Sequence, residues 1–201
     1  MQADPVDWRV IAVNHTAADL RGATVTAQLH DLAGGQLGRT RPARLDVRRA
    51  DTAEAFTTAW TDGLPDLHLL RLNLEDSRGR ELSRNTYWRY REPAALRGLN
   101  KARQVRLAGA VTRASGTGDR RELTAVVRNQ GSAVAAMVRL SLLEEPGGHR
   151  VLPTLYSDNY LWLLPGESRT VRLSWPADAT SVRHPVLTAQ AYHSPVATLR
   201  G

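Results

Sequence analysis

The residues best equipped to do chemistry are crowded into one segment, Tyr156-Ser157-Asp158-Asn159-Tyr160-Leu161-Trp162. Three aromatic rings surround a polar Ser-Asp-Asn turn there, between two strand signals. Aromatic faces stack on sugar rings, and neighbouring Asp and Asn side chains exchange hydrogen bonds with hydroxyl and amino groups, the usual division of labour in a polar-ligand site. The alternative is a turn locked by the hydrogen bonds of its own Asp and Asn side chains. Ser157, Asp158, Asn159, Tyr160 and Trp162 are therefore the candidate ligand contacts.

Elsewhere the chain offers little that could react. Sugar hydrolysis needs two carboxyl groups held about 5 to 10 Å apart in a cleft. The acidic pairs Asp62 with Asp66 and Glu144 with Glu145 fall in turns and read as solvated surface groups. No Gly-x-Ser-x-Gly elbow, phosphate-cradling Gly-Lys-Ser or Gly-Lys-Thr loop, or His-Glu-x-x-His motif occurs. The six histidines are scattered and cysteine is absent, so neither a metal nor another cofactor is expected. His68 and His184, each at the start of a strand pattern, are expected to satisfy loop carbonyls.

Charge adds no partner. The net charge of +7 would favour nucleic acid if it were massed, because a basic surface releases counterions from phosphate. Here the arginines run from Arg9 to Arg200, Lys101 is the single lysine, and the densest group, Arg39, Arg41, Arg44, Arg48 and Arg49, reads as a solvated strand face. No nucleic acid is expected. No apolar run approaches the roughly 18 residues of a membrane helix, and Met1 to Trp8 lacks a signal-peptide layout, so no membrane partner is expected and localisation stays open.

The elements that must position the aromatic segment are strands. Ala23, Val25, Ala27 and Leu29 alternate with Thr24, Thr26, Gln28 and His30, predicting one buried and one wet face. Leu70, Leu72 and Leu74 repeat the pattern, as do Ala136, Val138, Leu140 and Leu142, and Val171, Leu173 and Trp175. One-sided strands without long amphipathic helices imply antiparallel sheets. Ala33-Gly34-Gly35, Ser77-Arg78-Gly79, Pro146-Gly147-Gly148 and Leu164-Pro165-Gly166 supply the turns. Trp8, Trp60, Trp88 and Trp175 are expected to fill space between sheets. Only Glu92 to Asn100, opened by Pro93, reads as helical.

The halves repeat one plan. Val13-Asn14-His15-Thr16 turns into an alternating strand that ends at Gly34-Gly35, and Asn129-Gln130-Gly131-Ser132 turns into one that ends at Gly147-Gly148. The expected fold is all-β, two tandem immunoglobulin-like antiparallel β-sandwiches, with residues 1–91 and 103–201 as the modules and 92–102 as linker.

Val151-Leu152-Pro153, Tyr156 to Tyr160 and Leu163-Leu164-Pro165-Gly166-Glu167-Ser168-Arg169 resemble, in order and spacing, the last immunoglobulin-like domain of family 2 glycoside hydrolases, above all exo-β-D-glucosaminidases and related β-mannosidases. Leu69-Leu70-Arg71-Leu72 and Leu82 to Trp88 resemble the strand pair that closes the preceding domain. The resemblance implies a C-terminal portion that is not an enzyme on its own: the catalytic glutamates of that family lie on a (β/α)₈ barrel, and nothing here matches it. It implies a truncated or split reading frame, a separated gene fragment or an expressed piece, from a family often secreted. The implied partner is that barrel, with an amino-sugar or mannose oligosaccharide as the substrate whose cleft the Ser157 to Trp162 loop would rim. The competing readings are a free-standing carbohydrate-binding protein and a protein-interaction sandwich.

Overall fold

The computed structural model describes residues 1–181 and 184–200, apart from the side chain of Thr117. The chain divides into two compact units, Met1–Leu99 and Asn100–Gly201.

In the first unit, β1 (Gln2–Ala3), β2 (Arg9–Asn14) and β5 (Asp51–Thr57) form one sheet in the order β1-β2-β5. The second sheet runs β4-β3-β6-β7, from β3 (Leu20–His30), β4 (Gln36–Val47), β6 (Leu67–Glu75) and β7 (Glu81–Tyr90). All pairings are antiparallel. The core is filled by residues the alternation selected, Ala23, Val25, Leu70, Leu72 and Leu74, together with Val10 and Ala12 of β2, each at most 4% exposed. Burying a leucine to this degree contributes about 1.5–3 kcal/mol.

The second unit repeats the design with β8 (Leu107–Thr117), β9 (Arg120–Asn129), β10 (Ala135–Leu143), β11 (Leu155–Tyr156), β12 (Leu161–Leu163), β13 (Ser168–Pro176), β14 (Val186–Gln190) and β15 (Ala197–Leu199). Its sheets run β11-β13-β9-β8 and β12-β10-β14-β15. Strands β8, β9 and β13 correspond to β1, β2 and β5, and β10, β12, β14 and β15 to β3, β4, β6 and β7. Both units are therefore all-β sandwiches of immunoglobulin type.

One asparagine anchors each copy. Asn14, 4% exposed at the end of β2, donates its side-chain amide to the carbonyls of Ala18, Val47 and Arg48 at 2.8, 3.2 and 3.1 Å. Asn129, fully buried at the end of β9, donates to Ala133, Leu163 and Leu164 at 2.7, 3.0 and 3.2 Å. Each accepts a backbone N–H two residues on, from Thr16 at 3.0 Å and Gly131 at 2.9 Å. The two turns flagged as a sequence repeat are thus one device used twice, satisfying backbone carbonyls where strands change sheet.

Three expectations need correction. The predicted helix is a 3-10 helix, Pro93–Lys101, with Leu99 buried. In β10 the alternation breaks between Ala135 and Val138, where one extra residue is accommodated opposite Leu161 to Leu163. That bulge brings Ala135, rather than Ala136, into the core cluster with Val138, Leu140 and Leu142. Of the tryptophans, Trp175 lies in the core, 5% exposed, and Trp8 packs at the edge of the other core. Trp60 and Trp88 are half-buried outside both cores. Trp88 sits beside Arg89 in β7, so strand alternation turns it away from the face that Tyr87 and Arg89 share.

Candidate functional site

The loop from Tyr156 to Tyr160 is built by its own side chains. The Ser157 N–H donates to the Arg172 carbonyl at 2.7 Å, and the Ser157 hydroxyl accepts the Arg172 N–H at 3.0 Å, so this serine extends the pairing with β13. Asn159 acts as a surrogate strand residue against β10: its Oδ1 accepts the Leu140 N–H at 2.8 Å and its Nδ2 donates to the Leu140 carbonyl at 3.1 Å. The same Oδ1 accepts the Tyr160 N–H at 2.8 Å. Beneath the loop the Tyr156 hydroxyl accepts the Leu142 N–H at 2.9 Å, and burial pushes its pKa above the ordinary phenol value.

This bracing leaves Asp158 exposed, its carboxylate 3.5 Å from the Arg169 guanidinium, and holds Tyr160 61% exposed. Trp162 is half-buried on β12, between the buried Leu161 and Leu163. Tyr160 is fixed in the left-handed region, φ +56°, a conformation that costs a residue with a Cβ about 1–2 kcal/mol.

Two more strained residues converge on the same place. Met137, φ +48°, is in the β10 bulge, and His193, φ +54°, is in the turn that follows β14. Met137, Tyr160 and His193, with Arg139, Gln190 and Tyr192, line a cleft of about 270 Å³. Backbone strain of this kind persists only where surrounding structure imposes it, and it concentrates at binding sites. Hydrogen bonds brace several of the cleft's lining residues. Tyr192 donates its N–H to the Ala136 carbonyl at 2.8 Å and its hydroxyl to Asn100 Oδ1 at 2.6 Å. Arg139 donates to Gln190 Oε1 at 3.3 Å, and Gln190 donates to the Ser194 carbonyl at 3.2 Å.

Of the five residues singled out in the sequence, Tyr160 lines this cleft, while Ser157, Asp158, Asn159 and Trp162 are not among its lining residues. Met137, Arg139, Tyr192 and His193 carried no sequence signal. They come from two separate segments, β10 and the turn after β14, and the bulge and that turn bring them to Tyr160.

The first unit holds a different polar cluster. Arg89 is fully buried on β7, its guanidinium 4.6 Å from the Trp8 ring centre and 5.1 Å from that of Trp60. It donates one hydrogen bond, to the Thr58 carbonyl at 3.1 Å, and burial lowers its pKa to about 10. Arg91 lies 4.9 Å from the same Trp60 ring and pairs with Asp66 at 3.0 Å. His68, fully buried, meets Trp60 edge-on at 4.6 Å, and its Nδ1 is 2.9 Å from the Pro65 carbonyl, the loop bond expected of it. His184 is exposed ahead of β14 and has no matching role. Asp62, Asp66 and Glu145 are exposed, and no three acidic or histidine side chains cluster to hold a metal among the described residues.

Comparison with known proteins agrees with the fold. The family described as the exo-β-D-glucosaminidase Ig-fold domain matches residues 85–192. The exo-β-D-glucosaminidase of Streptomyces avermitilis is 31% identical over 193 residues, covering 84% of this chain and 21% of that protein. The enzyme of the same name from Amycolatopsis orientalis is 29% identical over 182 residues, covering 81% of this chain and 18% of that protein. The chain thus spans about a fifth of the length of the curated relatives it matches. In fold it superposes on the crystal structure of the Amycolatopsis orientalis exo-chitosanase CsxA with a TM-score of 0.87 at 24% identity, over all of this chain and 26% of that one. The β-D-mannosidase of Dictyoglomus thermophilum gives 0.55 at 13% identity, over 93% of this chain and 20% of that one. Repeated sandwiches, matching strand order and a family match spanning β7 to the turn after β14 lead to one assignment: the chain belongs to the exo-β-D-glucosaminidase Ig-fold domain family, the non-catalytic immunoglobulin-like part of glycoside hydrolases.

Proposed function

We propose that this chain is the supporting region of an exo-β-D-glucosaminidase, holding a catalytic barrel and rimming its substrate cleft with the loop from Ser157 to Trp162. In this reading residues 1–91 and 103–201 are two domains joined by residues 92–102. The substrate is a glucosamine-containing oligosaccharide, as the names of the relatives suggest. The observation that carries the reading is the braced loop: Ser157 and Asn159 spend their polar atoms on the backbone of β13 and β10, so that Asp158 and Tyr160 are held outward in fixed positions. A rigid aromatic beside a carboxylate costs little entropy to engage a sugar ring. Leu152 and Leu155, 65% and 62% exposed just ahead of this loop, supply the apolar contact that a neighbouring domain would cover.

The test is a hybrid enzyme in which residues 1–201 replace the immunoglobulin-like part of the Amycolatopsis orientalis exo-chitosanase. A soluble, active hybrid whose KM for glucosamine oligomers rises on Tyr160→Asn or Asp158→Asn is expected. Asn tolerates the left-handed backbone at 160, so the change removes the ring alone. An active hybrid indifferent to both changes overturns the rim role, and an insoluble hybrid from two soluble parents overturns the supporting role.

A further inference from the structure

The cleft at Tyr160 does not end there. Arg139 and Gln190 also line a second depression of about 360 Å³, bordered by Ser141, Thr188, Val196 and Thr198. The two meet at Arg139 and Gln190, and together they run across residues of β10, β14 and β15. The second depression carries Arg150, and no acidic residue lines either part among the described residues. From the groove we infer a binding site for an uncharged oligosaccharide, distinct in chemistry from a polyamine such as fully deacetylated chitosan.

Three features of the groove specify that ligand. The rings at one end, Tyr160 and Tyr192, are 61% and 42% exposed, Tyr160 held through its backbone N–H and Tyr192 through its backbone N–H and its hydroxyl, so stacking on a pyranose face would order little that is mobile. Hydroxyl and amide groups of Ser141, Thr188, Thr198 and Gln190 make a floor suited to sugar hydroxyls. Arg139 and Arg150 repel an ammonium-bearing chain, and no lining carboxylate compensates them. An N-acetylated stretch keeps the hydroxyls and the ring faces of the deacetylated one and replaces each ammonium with a neutral acetamide.

The experiment needs the 201-residue chain alone, so it fails or succeeds separately from the hybrid above. Titrations at pH 5.5 compare the N-acetylglucosamine tetramer with the glucosamine tetramer, whose amines are then protonated. The acetylated tetramer is expected to bind at sub-millimolar to millimolar concentration, at least ten-fold more tightly than the deacetylated one. Tyr160→Asn should weaken it at least ten-fold, and Arg139→Glu should narrow or reverse the preference between the two sugars. If Arg139→Glu disturbs folding, Tyr160→Asn decides by itself. No binding of the acetylated tetramer, equal binding of both, or a Tyr160→Asn variant that binds as well as the parent overturns the proposal.

Discussion

At Arg89 a positive charge is held where no solvent reaches it, with one hydrogen bond and two indole faces in place of water. A desolvated cation over an aromatic ring gains about 2 kcal/mol, so removing the side chain with Arg89→Ala should cost the first unit about 2–4 kcal/mol. Arg89→Lys keeps the charge and loses the planar stack, and should also destabilise. Both are read by hydrogen exchange of the β6 and β7 amides, which localises the effect. His68 supplies the pH dependence. Burial lowers its pKa from 6.5, and the nearby Arg89 lowers it further. The unfolded chain therefore takes up a proton at a higher pH than the folded one. The stabilisation is complete above about 6.5 and is lost as pH falls from there toward the folded pKa. Thermal melts between pH 7.5 and 5 should show a falling midpoint, and His68→Phe should flatten that fall. An unchanged slope in His68→Phe sinks the assignment. None of this arginine arrangement was legible in the sequence, because an Arg in the alternation of Leu82 to Tyr90 looks like any surface arginine. The loop bond of His68 was legible because a strand-initial histidine beside Pro65 has a carbonyl within reach.

The asparagine locks act on whole strands. Each side chain satisfies one carbonyl four residues on and two more than thirty residues on, Val47 and Arg48 in one unit and Leu163 and Leu164 in the other. Leaving buried carbonyls unpaired costs about 1–3 kcal/mol apiece. Asn14→Ala and Asn129→Ala should each destabilise their own unit by about 3 kcal/mol and leave the other untouched. Exchange measured unit by unit tests this, and a loss shared equally by both units would refute it. Four of the long strands, β3, β6, β10 and β13, could be read directly from alternation, since a face buried on one side writes a period of two into the chain. The β10 bulge could not. A single inserted residue leaves a run of small and apolar side chains, Ala133 to Val138, in which either register looks reasonable. That uncertainty hid the cleft as well, because Met137 and Arg139 reach it only through the bulge. The tight turn at Leu164-Pro165-Gly166-Glu167 was fully legible: Gly166 has φ +76°, and the Glu167 N–H donates to the Leu164 carbonyl at 3.0 Å.

Over the whole molecule, charge argues against a polycationic ligand for this chain alone. A chain of net charge +7 gains nothing electrostatically from a polycation, and should not adsorb to deacetylated chitosan at low salt. By itself it should release no glucosamine from an aryl β-glucosaminide above background, and a reproducible rate abolished by one carboxylate substitution would overturn that expectation. The twin asparagines also make the protein a recorder of its own history. Deamidation requires the amide carbon to be attacked by the next backbone nitrogen, a geometry closed to a side chain held at three carbonyls. Conversion to aspartate at position 14 or 129, seen as a one-dalton gain in a tryptic peptide, therefore marks molecules whose corresponding sandwich has opened. Aged stocks can be read module by module, with the intact neighbour serving as the internal clock.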